Sequence, residues 1–329
     1  MRAFTYERLD AATGASRRAD HPGTTYIAGG TDLLQLMQEG IAHPRALLDV
    51  SRVGTTGVTA QLDGIRIGAA TRLADVIEDP IVAERLPLVA EALAASASPQ
   101  VRNMATIGGN LLQKTRCLYF RDVTTPCNKR EPGSGCPAQA GQNRLNAVFG
   151  GSPHCIATHA SDLAVALVAL DAEVIVERAG GEKSIRLDDF YRLPGDTPYV
   201  ETALEPGDLI TAVFVPIQAT NLPGRYLKVR DRASFEWALV SAAVALVVAD
   251  GEVVAARVAA GGVGTKPWRL PAVEDRLVGR PMDVQTLQLA AEAAADGADP
   301  RPGNAFKVPL LVNAVARALA ATADQEANR

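Results

Sequence analysis

The sequence predicts an α+β protein with two domains. Its 329 residues exceed the usual size of one core, and 47% apolar against 21% charged residues is ordinary for a globular chain. The N-terminal part interleaves short strands, glycine turns and helices. Near "QATNLPGR" (218–225) this gives way to long alternating strands followed by amphipathic helices, which places a boundary at about residue 222 and an α+β domain after it.

The elements follow in order. "TTYIAGG" (24–30) reads as a short strand entering a glycine turn, and "TDLLQLMQEG" (31–40) as a helix begun at Thr31 or Asp32 and followed by Gly40. "ALLDV" (46–50) is a buried strand. "VTAQLDGIRIGAA" (58–70) alternates on both sides of Asp63-Gly64, a hairpin pattern. "RLADVIED" and "LPLVAEALAAS" have helical period, and "ATIGGN" (105–110) is a second glycine turn. "SDLAVALVALDAEVIVER" (161–178) reads as a helix capped by Ser161 and then a strand; "LEPGDLITAVFVP" is a turn and a strand ending at Pro216. In the second domain, strands flank an Asp250-Gly251 turn, and "AVEDRLVG", "VQTLQLAAEAAADG" and "VPLLVNAVARALAAT" are helices. The last residues, "DQEANR", are expected to fray.

Composition excludes several functions. A net charge of −4 with no Lys/Arg block argues against nucleic acid. The longest apolar stretch, Trp237 to Gly251, is too short to span a bilayer. The N-terminus lacks an apolar export segment, so no signal is expected on this chain itself. One formal G-x-G-x-x-[GA] match, "GSGCPA" (133–138), has no preceding strand and contains Pro137, so it is not a dinucleotide fingerprint. No Walker A, G-x-S-x-G or H-E-x-x-H pattern occurs, and no acid–base or nucleophile constellation stands out. Any redox chemistry must then come from cofactors.

All four cysteines, Cys117, Cys127, Cys136 and Cys155, fall in or just after one Pro/Gly-rich charged loop. Isolated buried thiols usually sit in apolar periodic segments, which these do not. Two disulfides would need an oxidising compartment. Zinc usually uses tight C-x2-4-C knuckles, absent here, although His154 or His159 would complete a Cys3His set. Four thiolates also suffice for a [4Fe–4S] cluster, with Arg116, Lys129 and Arg130 to offset charge and Gly133, Gly135 and Pro126, Pro132 and Pro137 to let backbone pass close. On spacing alone iron–sulfur and zinc both stand.

The two glycine turns, Ala28 to Leu34 and Thr106 to Asn110, each put bare backbone at a helix start, where an anion binds readily. Either alone is more often just a tight turn; two in one domain favour a diphosphate cofactor.

In order and spacing, "IAGGTDLL", "ATIGGN", "SDLAVALVALDAEV", "LEPGDLI", "KVRDRASFEWALVSAAVAL" and "GGVGTKPWR" resemble the FAD-binding medium subunit of the molybdenum hydroxylase (xanthine oxidase) family over nearly the whole chain. "KTRCLYFRDVTTPCNKREPGSGC" and "CIATHASDLA" resemble its periplasmic aldehyde oxidoreductase branch, whose subunit holds FAD and a [4Fe–4S] cluster. The resemblance implies an FAD-binding PCMH-type fold, like that of vanillyl-alcohol oxidase. This fold spans 1–222, with subdomains at about 1–55 and 56–222 and a cluster insertion at about 114–158. A C-terminal α+β domain of the CO dehydrogenase flavoprotein type, 223–329, follows. It implies FAD contacts at Ile27, Ala28, Gly29, Gly30, Thr31, Asp32, Leu33, Leu34, Thr106, Ile107, Gly108, Gly109, Asn110, Asp162, Ile210 and Lys228. Cys117, Cys127, Cys136 and Cys155 become the cluster ligands. Without it, Asp162 reads as a helix-start charge and Lys228 as a surface strand residue.

The resemblance further implies a heterotrimer. A large molybdenum-cofactor subunit would oxidise aldehyde with water to acid, and a small subunit with two [2Fe–2S] clusters would relay electrons to FAD and an external acceptor. This chain alone would not oxidise aldehyde. It would reach the periplasm folded, with a partner carrying a twin-arginine signal, or else remain cytoplasmic. The other readings are a CO or purine dehydrogenase flavoprotein and a zinc-stabilised interaction protein without redox function.

Overall fold

A computed structural model of the chain describes residues 1–10, 21–53, 55–178 and 180–327. Three sheets organise it. The first is parallel, with β1 (Thr5–Arg8), β2 (Thr24–Ile27), helix α1 (Leu33–Gln38) and β3 (Ala46–Asp49), in the order β1-β3-β2. Leu47 and Leu48 of the central strand are buried, as the apolar run predicts.

The second sheet is antiparallel. Its strands and the helices between them are β4 (Val58–Ala60), β5 (Gly64–Gly68), α2 (Leu73–Glu78), α3 (Pro80–Arg85), α4 (Pro87–Ala95), α5 (Pro99–Arg102), α6 (Ile107–Leu111), α7 (Leu118–Arg121), α8 (Asp162–Ala169), β6 (Glu173–Arg178), β7 (Gly181–Arg186), α9 (Leu187–Phe190) and β8 (Leu209–Pro216). The strand order is β4-β5-β8-β6-β7. Every residue of α8 is buried. A helix apolar all round must be covered on all sides, and α8 packs against α4, β10 (Val240–Ala249) and β11 (Glu252–Gly261). Its start is fixed by Ser161, whose Oγ accepts from the Ala164 N–H at 3.0 Å.

The third sheet, β12-β11-β10-β9, contains β9 (Gly224–Val229), β10, β11 and β12 (Trp268–Arg269). Asp250 and Gly251 both have positive φ, 53° and 79°, which matches the twist of the β10–β11 hairpin they connect. Helices α10 (Pro271–Leu277), α11 (Val284–Glu292) and α12 (Lys307–Ala327) cover one face. α12 runs through Asp324 to Ala327, so most of the segment expected to fray is helical. The short helices α3 and α5 were not anticipated, although each opens with proline after a capping side chain, Asp79 and Ser98. No described helix is long and apolar enough to cross a membrane.

Candidate functional site

A cavity of about 710 Å³ opens where the three sheets and the cysteine loop meet. That is within the range for an organic cofactor. Ile27 to Leu33, Thr106, Gly108, Gly109, Asn110, Asp162, Ile210 and Lys228 line it. Leu34 and Ile107 do not. Leu34 packs under Gly30, and Ile107 sits in the core with its N–H on Thr71 O.

The glycine turns are brought together by close backbone contact. A Cβ on Gly29 would lie 1.9 Å from the Met104 carbonyl oxygen, two residues before the second turn. Gly30 has φ +69°, a conformation that disfavours side chains. The turns then differ. Among the described residues, the N–H groups of Gly29, Gly30, Thr31 and Asp32 have no protein acceptor. In the second turn Gly108 donates to Ala69 O, Asn110 to Thr106 O, and Gly109 to Thr106 Oγ1 at 3.3 Å. The first turn therefore carries the spare donors an anion would need, and in the second the N–H groups of Gly108, Gly109 and Asn110 are spent within the protein. Helix dipoles add little, because α1 and α6 have six and five residues.

Asp162 and Lys228 form a buried pair. Lys228 Nζ donates to Asp162 Oδ2 at 2.7 Å and to Ala95 O at 3.1 Å. Tyr226 donates to Asp162 Oδ1 at 2.7 Å and Ser96 to Oδ2 at 3.0 Å. Lys228 is thus no surface residue, since its side chain is 3% exposed. Burial and the Asp162 charge push the Tyr226 hydroxyl far above its ordinary pKa, so it is a fixed donor. The wall also includes Ala97, at φ 49°, and Tyr191, which no local pattern marks, and His159, one of the two histidines named above as candidates for a zinc set. The His159 ring meets Tyr191 edge-on at 4.4 Å, and its Nδ1 accepts from the Ser161 N–H. Its Nε2 is shut off from solvent and has no partner. Burial pushes His159 down to about 4, against the pull of Glu201, so the ring is neutral.

Beside the cavity the four cysteines are free thiols. Cys117, Cys127 and Cys155 are buried with Leu36, Phe120 and Ala157 in one cluster. Cys136 is close enough to feel Cys117 and Cys127, and Cys155 to feel Cys136 and Cys117. Burial pushes Cys155 up to about 11, while Lys129 and the Ala157 N–H pull the other way. Donors point at the sulfurs. Asn146 Nδ2 lies 3.5 Å from Cys117 Sγ, Ala157 N 3.4 Å from Cys155 Sγ, and the Ile156 and Ala138 N–H groups face Cys136. Buried sulfurs with a cation and N–H donors around them fit thiolate ligands of a metal centre. Among the described residues, no three His, Cys, Asp or Glu side chains are grouped tightly enough for one ion. His154 lies at the surface, with its Nε2 3.3 Å from Asp196 Oδ1.

The loop cations divide their roles: Lys129 draws Cys155 down, while the other two are engaged elsewhere. Arg130 bonds to the Tyr119, Phe120 and Thr125 carbonyls and braces the loop, and Arg116 turns to Asp32 at 2.8 Å and stacks on Trp237. Gly133 and Gly135 hold φ +86° and +109°, which side chains rarely adopt, and no protein atom lies within 4 Å of a Cβ placed there, so the space beside them is open. Asp32 has a second duty. Its carboxylate holds Arg116, Arg121 and the Lys114 N–H, tying the first glycine turn to the start of the cysteine loop. Glu201 does likewise from the far wall. Burial would raise it, yet the ammoniums of Lys114 and Lys129 hold it down at about 2. Cys155 and Lys129 belong to both the thiol group and the cavity wall.

Comparison with known proteins identifies the family. A family described as the FAD binding domain in molybdopterin dehydrogenase matches residues 3–218, and the CO dehydrogenase flavoprotein C-terminal domain matches residues 225–322. The chain is 46% identical to the aldehyde oxidoreductase FAD-binding subunit PaoB of Escherichia coli (strain K12), over 97% of this chain and 98% of that one. It is 27% identical to the glyceraldehyde dehydrogenase medium chain of Sulfolobus acidocaldarius, over 90% and 89%. Among solved structures, a chain of carbon monoxide dehydrogenase from Hydrogenophaga pseudoflava superposes with a TM-score of 0.76 at 26% identity, covering 98% and 97%. A chain of quinoline 2-oxidoreductase from Pseudomonas putida 86 gives 0.77 at 25%, covering 98% of both. The chain therefore belongs to the FAD-binding medium subunits of the molybdenum hydroxylase family, and is an oxidoreductase subunit.

Proposed function

We propose that this chain is the FAD- and [4Fe–4S]-containing electron-transfer subunit of a molybdenum-dependent aldehyde oxidoreductase. One observation carries the reading: Cys155 stands in both the four-thiol group and the wall of the cavity with the unpaired N–H groups of Gly29 to Asp32. That adjacency favours a relaying cluster over a merely bracing one. The first glycine turn would hold the FAD diphosphate, and Cys117, Cys127, Cys136 and Cys155 the cluster. Bound FAD supplies a carrier of two electrons. Relatives named for aldehyde chemistry support the substrate class.

A large molybdenum-cofactor subunit would convert aldehyde and water to carboxylic acid, two protons and two electrons. A small subunit with two [2Fe–2S] clusters would carry the electrons to this chain, and an external acceptor would remove them. The isolated chain with FAD bound should show no aldehyde-dependent reduction of an artificial acceptor, and co-expression of all three subunits should restore it. Turnover by this chain alone would replace the reading with a self-contained flavin oxidase. Restoration with CO or a purine and not with aldehydes would move the complex to that other class of substrate.

The same reading puts the complex in the periplasm, exported folded by a twin-arginine signal on the small subunit. Cell fractionation tests it: replacing those two arginines should strand this chain in the cytoplasm. A chain found in the periplasm without the small subunit would contradict it.

A further inference from the structure

Asn146 lies outside every motif in the sequence, yet it touches the cysteine group directly. Its Nδ2 donates to Ile156 O at 3.2 Å and to Cys117 Sγ at 3.5 Å. The contact with a carbonyl oxygen fixes the amide orientation, since only the NH2 end can face an acceptor. The second N–H is then committed to the sulfur. Asn146 and Cys117 are 4% and 7% exposed, so the bond acts in a medium of low dielectric.

The residue is held from behind by the C-terminal domain. Asn304 Nδ2 donates to Asn146 O at 3.2 Å and to Ala147 O at 3.1 Å. Lys307, wholly buried at the start of α12, donates to Asn146 O at 3.1 Å and to Gly262 O at 2.7 Å. Three hydrogen bonds from one helix start and the residues before it thus converge on the backbone that aims this amide, and a fourth ties Lys307 to Gly262.

We infer that Asn146 is a positioning residue for Cys117, and that its amide raises the reduction potential of the cluster this cysteine helps to hold. The inference rests on the four-thiolate reading above. Reduction puts more negative charge on the cluster and its sulfurs, so a donor at Cys117 stabilises the reduced form more than the oxidised one. The C-terminal domain, through Asn304 and Lys307, then sets the geometry of a redox centre in another domain.

The test is an anaerobic redox titration of the full-length chain, followed by electron paramagnetic resonance of the reduced cluster. Asn146→Leu removes the donor and should lower the oxidised-to-reduced balance point about tenfold in ratio, or about 59 mV for one electron. Asn146→Gln, which keeps an amide donor, should recover part of the shift. Asn304→Ala loosens the backbone anchor and should lower thermal stability without an equal change in potential. If Asn146→Leu fails to load a cluster, the wild-type chain labelled with 15N-asparagine still decides, because its reduced cluster should show hyperfine coupling to a side-chain nitrogen. Unchanged potentials, an equal shift in Asn304→Ala, or no nitrogen coupling would overturn the inference. A wild-type chain with no iron would instead overturn the cluster reading itself.

Discussion

The Lys228 ammonium lies 2.7 Å from Asp162 Oδ2, and burial leaves the two side chains 3% and 7% exposed. The residues are 66 apart in sequence and join β9 to the start of α8. Lys228→Met should cost about 3–5 kcal/mol, because it leaves a buried carboxylate without its cation. Adding Asp162→Asn should recover a large part. Chemical denaturation of both variants measures this; a single-variant cost below about 1 kcal/mol would show that the Tyr226 and Ser96 donors satisfy the carboxylate alone.

The first glycine turn should be more sensitive than its sequence suggests. Gly30→Val places a branched side chain at φ +69°, with a strain of about 1–2 kcal/mol, in the segment with unpaired N–H groups. Gly29→Ala drives a Cβ into Met104 O. Both should yield folded protein with flavin content reduced about tenfold or more at equal FAD concentration, read by released flavin and far-UV circular dichroism. Normal flavin content in both would place the cofactor elsewhere.

Cys155→Ser should separate the two centres. It should abolish iron binding while FAD remains, because the serine keeps the wall nearly intact and the first glycine turn is untouched. Metal and flavin analysis of one sample reads both. Full iron with Cys155 replaced would remove it from the ligand set.

His159 makes stability fall in mild acid. Its folded value is pushed down to about 4 from 6.5, so between these values the unfolded chain binds a proton that the folded chain refuses. Stability is full above about pH 6.5 and falls by up to about 3 kcal/mol as pH approaches 4. Glu201, held at about 2, adds a loss that begins lower, as pH falls below about 4.5. Urea titrations of wild type and His159→Phe between pH 7 and about 4 isolate the first contribution. Parallel curves for the two proteins would contradict it.

Local signals were legible in the sequence, and contacts across it were not. Ser161 as a cap, the Asp63-Gly64 and Asp250-Gly251 hairpins and the burial of β3 follow from patterns within a few residues. The glycine turns were visible, but the difference between them depends on Ala69 and Thr106 accepting the N–H groups of one and no described residue accepting those of the other. The burial of Lys228 depends on α4 and α8 packing over β9, which its own strand does not announce. Asp32 looked like a helix start and proved to be the anchor of Arg116 and Arg121, 84 and 89 residues on. His159 and Asn146 stand in irregular segments, where no periodicity marks a role.

The proposed relay and the role of Asn146 both require FAD and a four-thiolate iron–sulfur cluster side by side in one chain. The most direct measurement is iron, zinc and flavin content on a single sample of the isolated chain purified without oxygen. One FAD and about four irons per chain, with no zinc, is the expected result. Stoichiometric zinc, or cysteines joined as disulfides with no iron, would contradict it.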